Sequence, residues 1–166
     1  MSVMDKVQVA DIYNYLRIDE TLSTGGQPSV EELAAAARDD FEVVINLALH
    51  DDPRYSLPDE RRSVESLGMT YEHIPVKFDA PTQDDLLAFF DLMDKHQGKR
   101  VLLHCAANKR VTSFLGLYRV IRQRWQIEPA FAPMKAVWEP NAVWSPFIAA
   151  MLAKPPAKKG PPLARS

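Results

Sequence analysis

Cysteine occurs once in these 166 residues, at Cys105, so no internal disulfide can form and a reducing compartment is the natural setting. Long apolar runs are missing as well: none approaches the ~18 residues that cross a bilayer, and the amino terminus has no basic segment followed by an apolar one. Neither sign of charge is in excess. Twenty Lys and Arg against 22 Asp and Glu leave a formal charge of −2, which gives no global electrostatic reason to bind nucleic acid. No internal repeat is visible. The expectation is a soluble, cytoplasmic protein with neither a nucleic-acid nor a membrane partner.

What is present is ordinary for a globular chain: 46% hydrophobic and 25% charged residues, in a length that suits one domain able to bury a core without disulfides or metals. The alternation from Ile12 to Ile18 and the residues Leu22 to Thr24 predict two short strands joined as an edge hairpin. Gly25-Gly26 breaks that pattern, and Ser29 with Glu32 makes a capping box for a helix through Arg38. Phe41 to Leu49 is an apolar, β-branched run suited to a central parallel strand. Pro58 starts a helix that Gly68 ends, and Met69 to Val76 reads as the next strand, with Pro75 near its end. Thr82 and Asp85 cap a helix from Gln83 to about His96, which Gly98 stops. Residues 129–152, rich in Trp and Phe but interrupted by proline, predict short helices covering one face of the sheet.

These elements alternate as βαβ units do, which predicts an α/β fold: three layers, a mainly parallel central sheet flanked by helices, and an N-terminal edge hairpin. The expected division is a domain over 1–152 and a Pro- and Lys-rich flexible tail over 153–166. His50, Asp51 and Asp52 resemble metal ligands in type, but no second cluster stands at suitable spacing, so a solvated loop is expected and no metal.

The chemistry converges on Val101-Leu102-Leu103-His104-Cys105-Ala106-Ala107-Asn108-Lys109-Arg110. The apolar strand runs into the cysteine, and from Val111 the positions Val111, Phe114, Leu115, Leu117, Tyr118 and Ile121 recur at helical spacing. Cys105 to Arg110 therefore form a strand–loop–helix junction, where unpaired N–H groups and the helix dipole favour an anion. The same groups and the Arg110 guanidinium favour the Cys105 thiolate over the thiol, whose free pKa is about 8.5. The planar fork of Arg110 matches two oxygens of a phosphate-like group.

His-Cys, a short loop, Arg and an apolar helix carrying Leu117-Tyr118-Arg119 resemble the signature of cysteine-dependent protein tyrosine and dual-specificity phosphatases, most closely the small bacterial phosphatase-like proteins. The Gly25-Gly26-Gln27-Pro28 turn, the Val43-Val44-Ile45-Asn46-Leu47 strand and His73-Ile74-Pro75-Val76 before an acidic loop extend the resemblance over roughly residues 10 to 125. It implies a phosphomonoester hydrolase with Cys105 as nucleophile and Arg110 as phosphate clamp. Ala106, Ala107, Asn108, Lys109 and Arg110 would bind phosphate, His104 would support the thiolate, and a loop Asp would be the general acid. By position that Asp is Asp79, with Asp84 and Asp85 as competitors. No metal or organic cofactor is implied, and the partner is a phosphorylated protein or small molecule, with phosphate or another oxyanion in the loop.

The chain departs from that pattern in its loop. Arg110 follows Cys105 by five residues where the superfamily has six, no glycine stands in between, and Val111 replaces the usual hydroxyl, with Thr112 and Ser113 as the nearest substitutes. A shorter loop supplies fewer donors and predicts slow turnover. Two alternatives stay open at this point: a rhodanese-type sulfurtransferase, whose anion loops are short, and a non-catalytic phosphate binder.

Overall fold

In the computed structural model, which describes residues 7–50 and 56–157, the strand that ends at the cysteine is the middle of the sheet. Strands β1 (Leu16–Arg17), β2 (Leu22–Gly25), β3 (Val43–Asn46), β4 (Thr70–His73) and β5 (Val101–His104) lie in the order β1-β2-β5-β3-β4. β1 pairs antiparallel with β2, forming the edge hairpin, and the other pairings are parallel. β5 thus sits between β2 and β3, with all four of its residues buried. A parallel strand covered on both faces has to be apolar throughout, which is why Val101-Leu102-Leu103 reads as a continuous run.

Alternation sends neighbouring side chains to opposite layers. Val43, Ile45, Val101 and Leu103 enter one core, with α3 (Gln83–Lys95) and α4 (Lys109–Ile121). Val44, Leu102 and Tyr71 enter the other, with α1 (Val30–Arg38) and α2 (Glu60–Ser66). The short helices α5 (Ile127–Ala130) and α6 (Ala132–Val137), with α7 (Trp144–Ala153), pack around α4. They bring Phe131, Met134, Trp144 and Ile148 into the first core. The molecule is therefore a three-layer α/β fold with a mainly parallel sheet.

Both expected capping boxes are present, Ser29 with Glu32 and Thr82 with Asp85. Gly68 (φ 86°) and Gly98 (φ 87°) take the left-handed conformation after α2 and α3, where a side chain would be strained. Four boundaries differ from the sequence reading. The central strand expected over Phe41 to Leu49 is confined to β3, Val43–Asn46. The run Ile12–Tyr15 is a turn, not strand: Tyr15 N–H donates to Ile12 O, and Asn14 takes φ 54°. α2 starts at Glu60 instead of Pro58, after Asp59 in the left-handed region. β4 is limited to Thr70–His73, although Ile74 and Val76 still donate to Asn46 and Leu47 carbonyls. Asp51, Asp52 and residues 158–166 of the expected tail lie outside the described residues. Among the described residues no helix is long and apolar enough to cross a membrane.

Candidate active site

Because β2, β3 and β5 run parallel, their carboxyl ends emerge side by side, and the segments that follow them build the site. After β5 the chain turns through Cys105 to Asn108, which precedes α4 with φ 67° and ψ 11°. Left-handed geometry is costly for most residues and tolerable for Asn. Asn108 is fully buried, and its Nδ2 donates to Asn14 O at 2.8 Å and to Thr24 Oγ1 at 2.9 Å. Asn14 Nδ2 returns a bond to Ala107 O at 3.1 Å, while Gln27 N–H donates to Ala106 O at 3.1 Å. Gly26 is wedged here: a Cβ on it would stand 2.5 Å from Ala106 O. The turns before β1 and after β2 thus brace the cysteine loop by its carbonyls. Among the described residues no acceptor is bonded to the N–H groups of Ala106, Ala107, Lys109 and Arg110.

Arg110 occupies the first turn of α4 and is 8% exposed. Its Nη1 donates to Val76 O at 2.8 Å, and its guanidinium lies 5.7 Å from the Phe78 ring centroid. The buried Nε has no hydrogen-bond partner among the described residues. Lys109 places Nζ over Phe78 and Trp138, 5.9 and 5.5 Å from the centroids. Phe78 itself is fixed by Trp144, whose Nε1 donates to Phe78 O at 2.7 Å. The helices after α4 therefore help to shape the site.

Cys105, Ala106, Ala107, Lys109 and Arg110 line one cleft of about 970 Å³, together with Lys77, Phe78 and Asp79. The expected nucleophile, clamp and acid are thereby brought together. Asp79 is exposed on a turn closed by Ala80 N–H donating to Lys77 O. Asp85 instead accepts from Thr82 N–H in the capping box, and Asp84 does not line the cleft. Asn108 and Thr112 are turned elsewhere: Thr112 Oγ1 donates to Asn108 O at 2.7 Å, bracing the loop from the helix side.

His104 is buried and bonded on both nitrogens, Nδ1 to Cys105 O at 3.2 Å and Nε2 to Glu60 Oε2 at 2.5 Å. Glu60 is 1% exposed, and its Oε1 accepts from Gln27 Nε2 at 2.9 Å. Burial pushes the Glu60 carboxyl up, but the charge of His104 and the bonds from His104 and Gln27 outweigh it, leaving the group below its ordinary range. Sequence reading missed Glu60, Gln27, Asn14 and Thr24. Each lies far from the cysteine in sequence, and each is of a type common in turns and first helical turns. Among the described residues no group of three or more His, Cys, Asp or Glu is arranged to hold a metal ion.

A cysteine at the carboxyl end of a central parallel strand, followed by a donor-rich loop and an arginine opening the next helix, defines a site of the cysteine-phosphatase class. The chain belongs to that superfamily: residues 4–139 match the family described as a DSP-PTPase phosphatase fused to NAD+ kinase. A crystal structure of a DUF442 phosphatase-like protein from Shewanella putrefaciens superimposes with a TM-score of 0.78 at 30% identity, over 88% of this chain and 95% of that one. The catalytic domain of the PP-IP phosphatase SIW14 from S. cerevisiae, solved with citrate, shares the fold with a TM-score of 0.67 at 15% identity, over 83% and 85% of the two chains. The beta-lactamase hydrolase-like protein of Xylella fastidiosa is 30% identical over 109 residues, 64% of this chain and 25% of that protein. The chain thus spans about a quarter of the length of that relative.

Proposed function

We propose that this protein is a phosphomonoester hydrolase that works through a cysteinyl-phosphate intermediate, with a phosphorylated protein or small molecule as substrate. The observation that carries this reading is the buried, unpartnered Nε of Arg110 in the cleft that Cys105 and Asp79 share. A buried guanidinium donor without an acceptor is costly, and a phosphoryl oxygen supplies the acceptor. The N–H groups of Ala106, Ala107, Lys109 and Arg110 add donors for the remaining equatorial oxygens.

In the first step the Cys105 thiolate attacks phosphorus, the S–P bond forms, and the ester P–O bond breaks as Asp79 gives its proton to the departing oxygen. In the second step water attacks phosphorus and gives a proton to Asp79, and the S–P bond breaks to return the thiolate and free phosphate. Arg110 and the loop amides hold the oxygens throughout. Lys77 and Lys109 add positive charge to the cleft wall, which suits an anionic substrate.

The test is p-nitrophenyl phosphate hydrolysis beside thiosulfate-to-cyanide sulfur transfer, for the native protein and Cys105→Ser. Phosphate release that vanadate inhibits and the serine variant lacks supports the reading. Sulfur transfer without hydrolysis overturns it in favour of a rhodanese-type enzyme. Vanadate binding with neither activity overturns it in favour of a phosphate binder.

A further inference from the structure

We propose that Glu60 is a positioning residue for the Cys105 nucleophile, holding His104 as an imidazolium beside it and tying that charge to the cysteine loop through Gln27. The proposal rests on the reading of Cys105 as nucleophile.

The hydrogen-bond partners of His104 carry the inference. Nδ1 faces the Cys105 carbonyl oxygen at 3.2 Å, and Nε2 faces a carboxylate oxygen of Glu60 at 2.5 Å. A carbonyl and a carboxylate only accept, so both contacts are satisfied when each ring nitrogen carries a hydrogen. The buried pair is then imidazolium against carboxylate, the arrangement in which neither buried charge stands alone. The cation sits on the residue next to the cysteine and bonds to the carbonyl of Cys105 itself, so it favours negative charge on the sulfur.

Glu60 is placed for this work and not for the helix that bears it. A carboxylate in a first helical turn is stabilising while exposed to water, where it complements the dipole. Glu60 instead turns inward from α2, 44 positions before its partner, and leaves only 1% of its surface exposed. Its second oxygen is held by Gln27 Nε2 at 2.9 Å, while the Gln27 backbone N–H holds Ala106 O at 3.1 Å. One residue therefore fixes both the counterion and the loop.

The other groups around the pair do not replace either partner. Tyr71, from β4, is bonded to Asn46 and to His50, and burial raises its hydroxyl to about 12, so it stays neutral. His73 is bonded to Ala48 O at 2.6 Å and packs on His50, with ring centroids 4.5 Å apart. Arg61, from α2, lies over the Tyr71 ring, 5.0 Å from its centroid. Arg110 reaches Val76 on the other side of the loop.

The experiment uses the full chain and begins with the wild type. Nitrogen-15 spectra of the His104 ring at pH 7 are expected to show both nitrogens protonated; a neutral ring overturns the proposal, and this reading needs no variant. Iodoacetamide alkylation of Cys105 is then followed against pH in wild type, Glu60→Gln and Glu60→Asp, with folding checked by circular dichroism. In Glu60→Gln the inflection is expected to rise by about one pH unit, a tenfold loss of thiolate at a fixed pH below it. The p-nitrophenyl phosphate kcat should fall about as much, with KM little changed, because the phosphate-holding donors stay in place. Glu60→Asp, which keeps the charge, is expected to restore most of the wild-type profile. A folded Glu60→Gln protein with an unchanged alkylation profile overturns the proposal. A wild type without phosphatase activity defeats the proposed function, while the ring protonation and alkylation profile still judge the pair.

Discussion

Arg110 Nη1 donates to the Val76 carbonyl oxygen at 2.8 Å, joining the helix that follows the cysteine to the segment that leads to Asp79. The bond holds one end of the guanidinium and leaves the buried Nε without a partner among the described residues, as the proposed phosphate clamp requires. Arg110→Lys keeps the charge and loses both the anchor and the fork. The expected result is a fall of about 10²–10³ in kcat/KM, the usual cost of one well-aimed donor, with vanadate inhibition weakened in parallel. Steady-state kinetics on p-nitrophenyl phosphate check it, and a change below threefold would count against the clamp.

Asp79 stands exposed in the cleft that Cys105 lines, whereas Asp85 is bonded to Thr82. Asp79→Asn should slow an alkyl or phenyl phosphate, whose leaving oxygen must be protonated, by about 10²-fold or more. p-Nitrophenyl phosphate, with its good leaving group, should slow much less. Equal losses on both substrates would remove Asp79 from the role of acid.

Asn108 combines a left-handed backbone, φ 67°, with two buried side-chain bonds, to Asn14 O and Thr24 Oγ1. Asn108→Ala loses both features and is expected to destabilise the fold by about 2–4 kcal/mol in urea unfolding. Asn108→Gly keeps the backbone freedom and should cost clearly less. Equal costs would show that the backbone conformation contributes nothing. Inserting a glycine between Ala107 and Asn108 breaks the register of these bonds, and it should lower activity instead of repairing a short loop.

Gly116 faces Phe131 across the α4–α5 contact, and a Cβ there would stand 2.3 Å from the ring. Phe131 is buried at 3% exposure, so the ring has little room to move. Gly116→Ala gains helix propensity yet should still destabilise by about 1–3 kcal/mol through overpacking. Chemical denaturation is the measurement, and a stabilised variant would contradict the packing.

Glu60 makes stability depend on pH in a definite direction. Its folded carboxyl titrates below the ordinary value of 4.5, because the opposition of burial is outweighed by His104 and Gln27. The unfolded chain takes up this proton first as pH falls, so the stabilisation is complete above about pH 4.5 and is lost on descending through the lower folded value. Glu60→Gln should melt well below wild type at pH 7, and the gap should narrow below pH 4.5. A gap that stays constant from pH 7 to pH 3 would mean that the carboxylate charge contributes no stability.

The sequence by itself determined the layers and the place of Cys105, the proposed nucleophile, at the end of the central strand. Four consecutive buried residues in β5, capping boxes at Ser29 and Thr82, and glycines after α2 and α3 are local signals, each read from residues within a few positions of one another. Local signals also placed Cys105 and Arg110 at a strand–loop–helix junction. Only the tertiary structure decided which residues support that junction. Asn14, Thr24 and Gln27 reach the loop because β2 lies beside β5, although about 80 to 94 positions separate them along the chain. Glu60 reaches His104 because α2 covers the sheet face opposite α3 and α4. A polar residue in a turn or a first helical turn looks solvated in sequence, and burial against a distant partner, which no local pattern encodes, gives it its role.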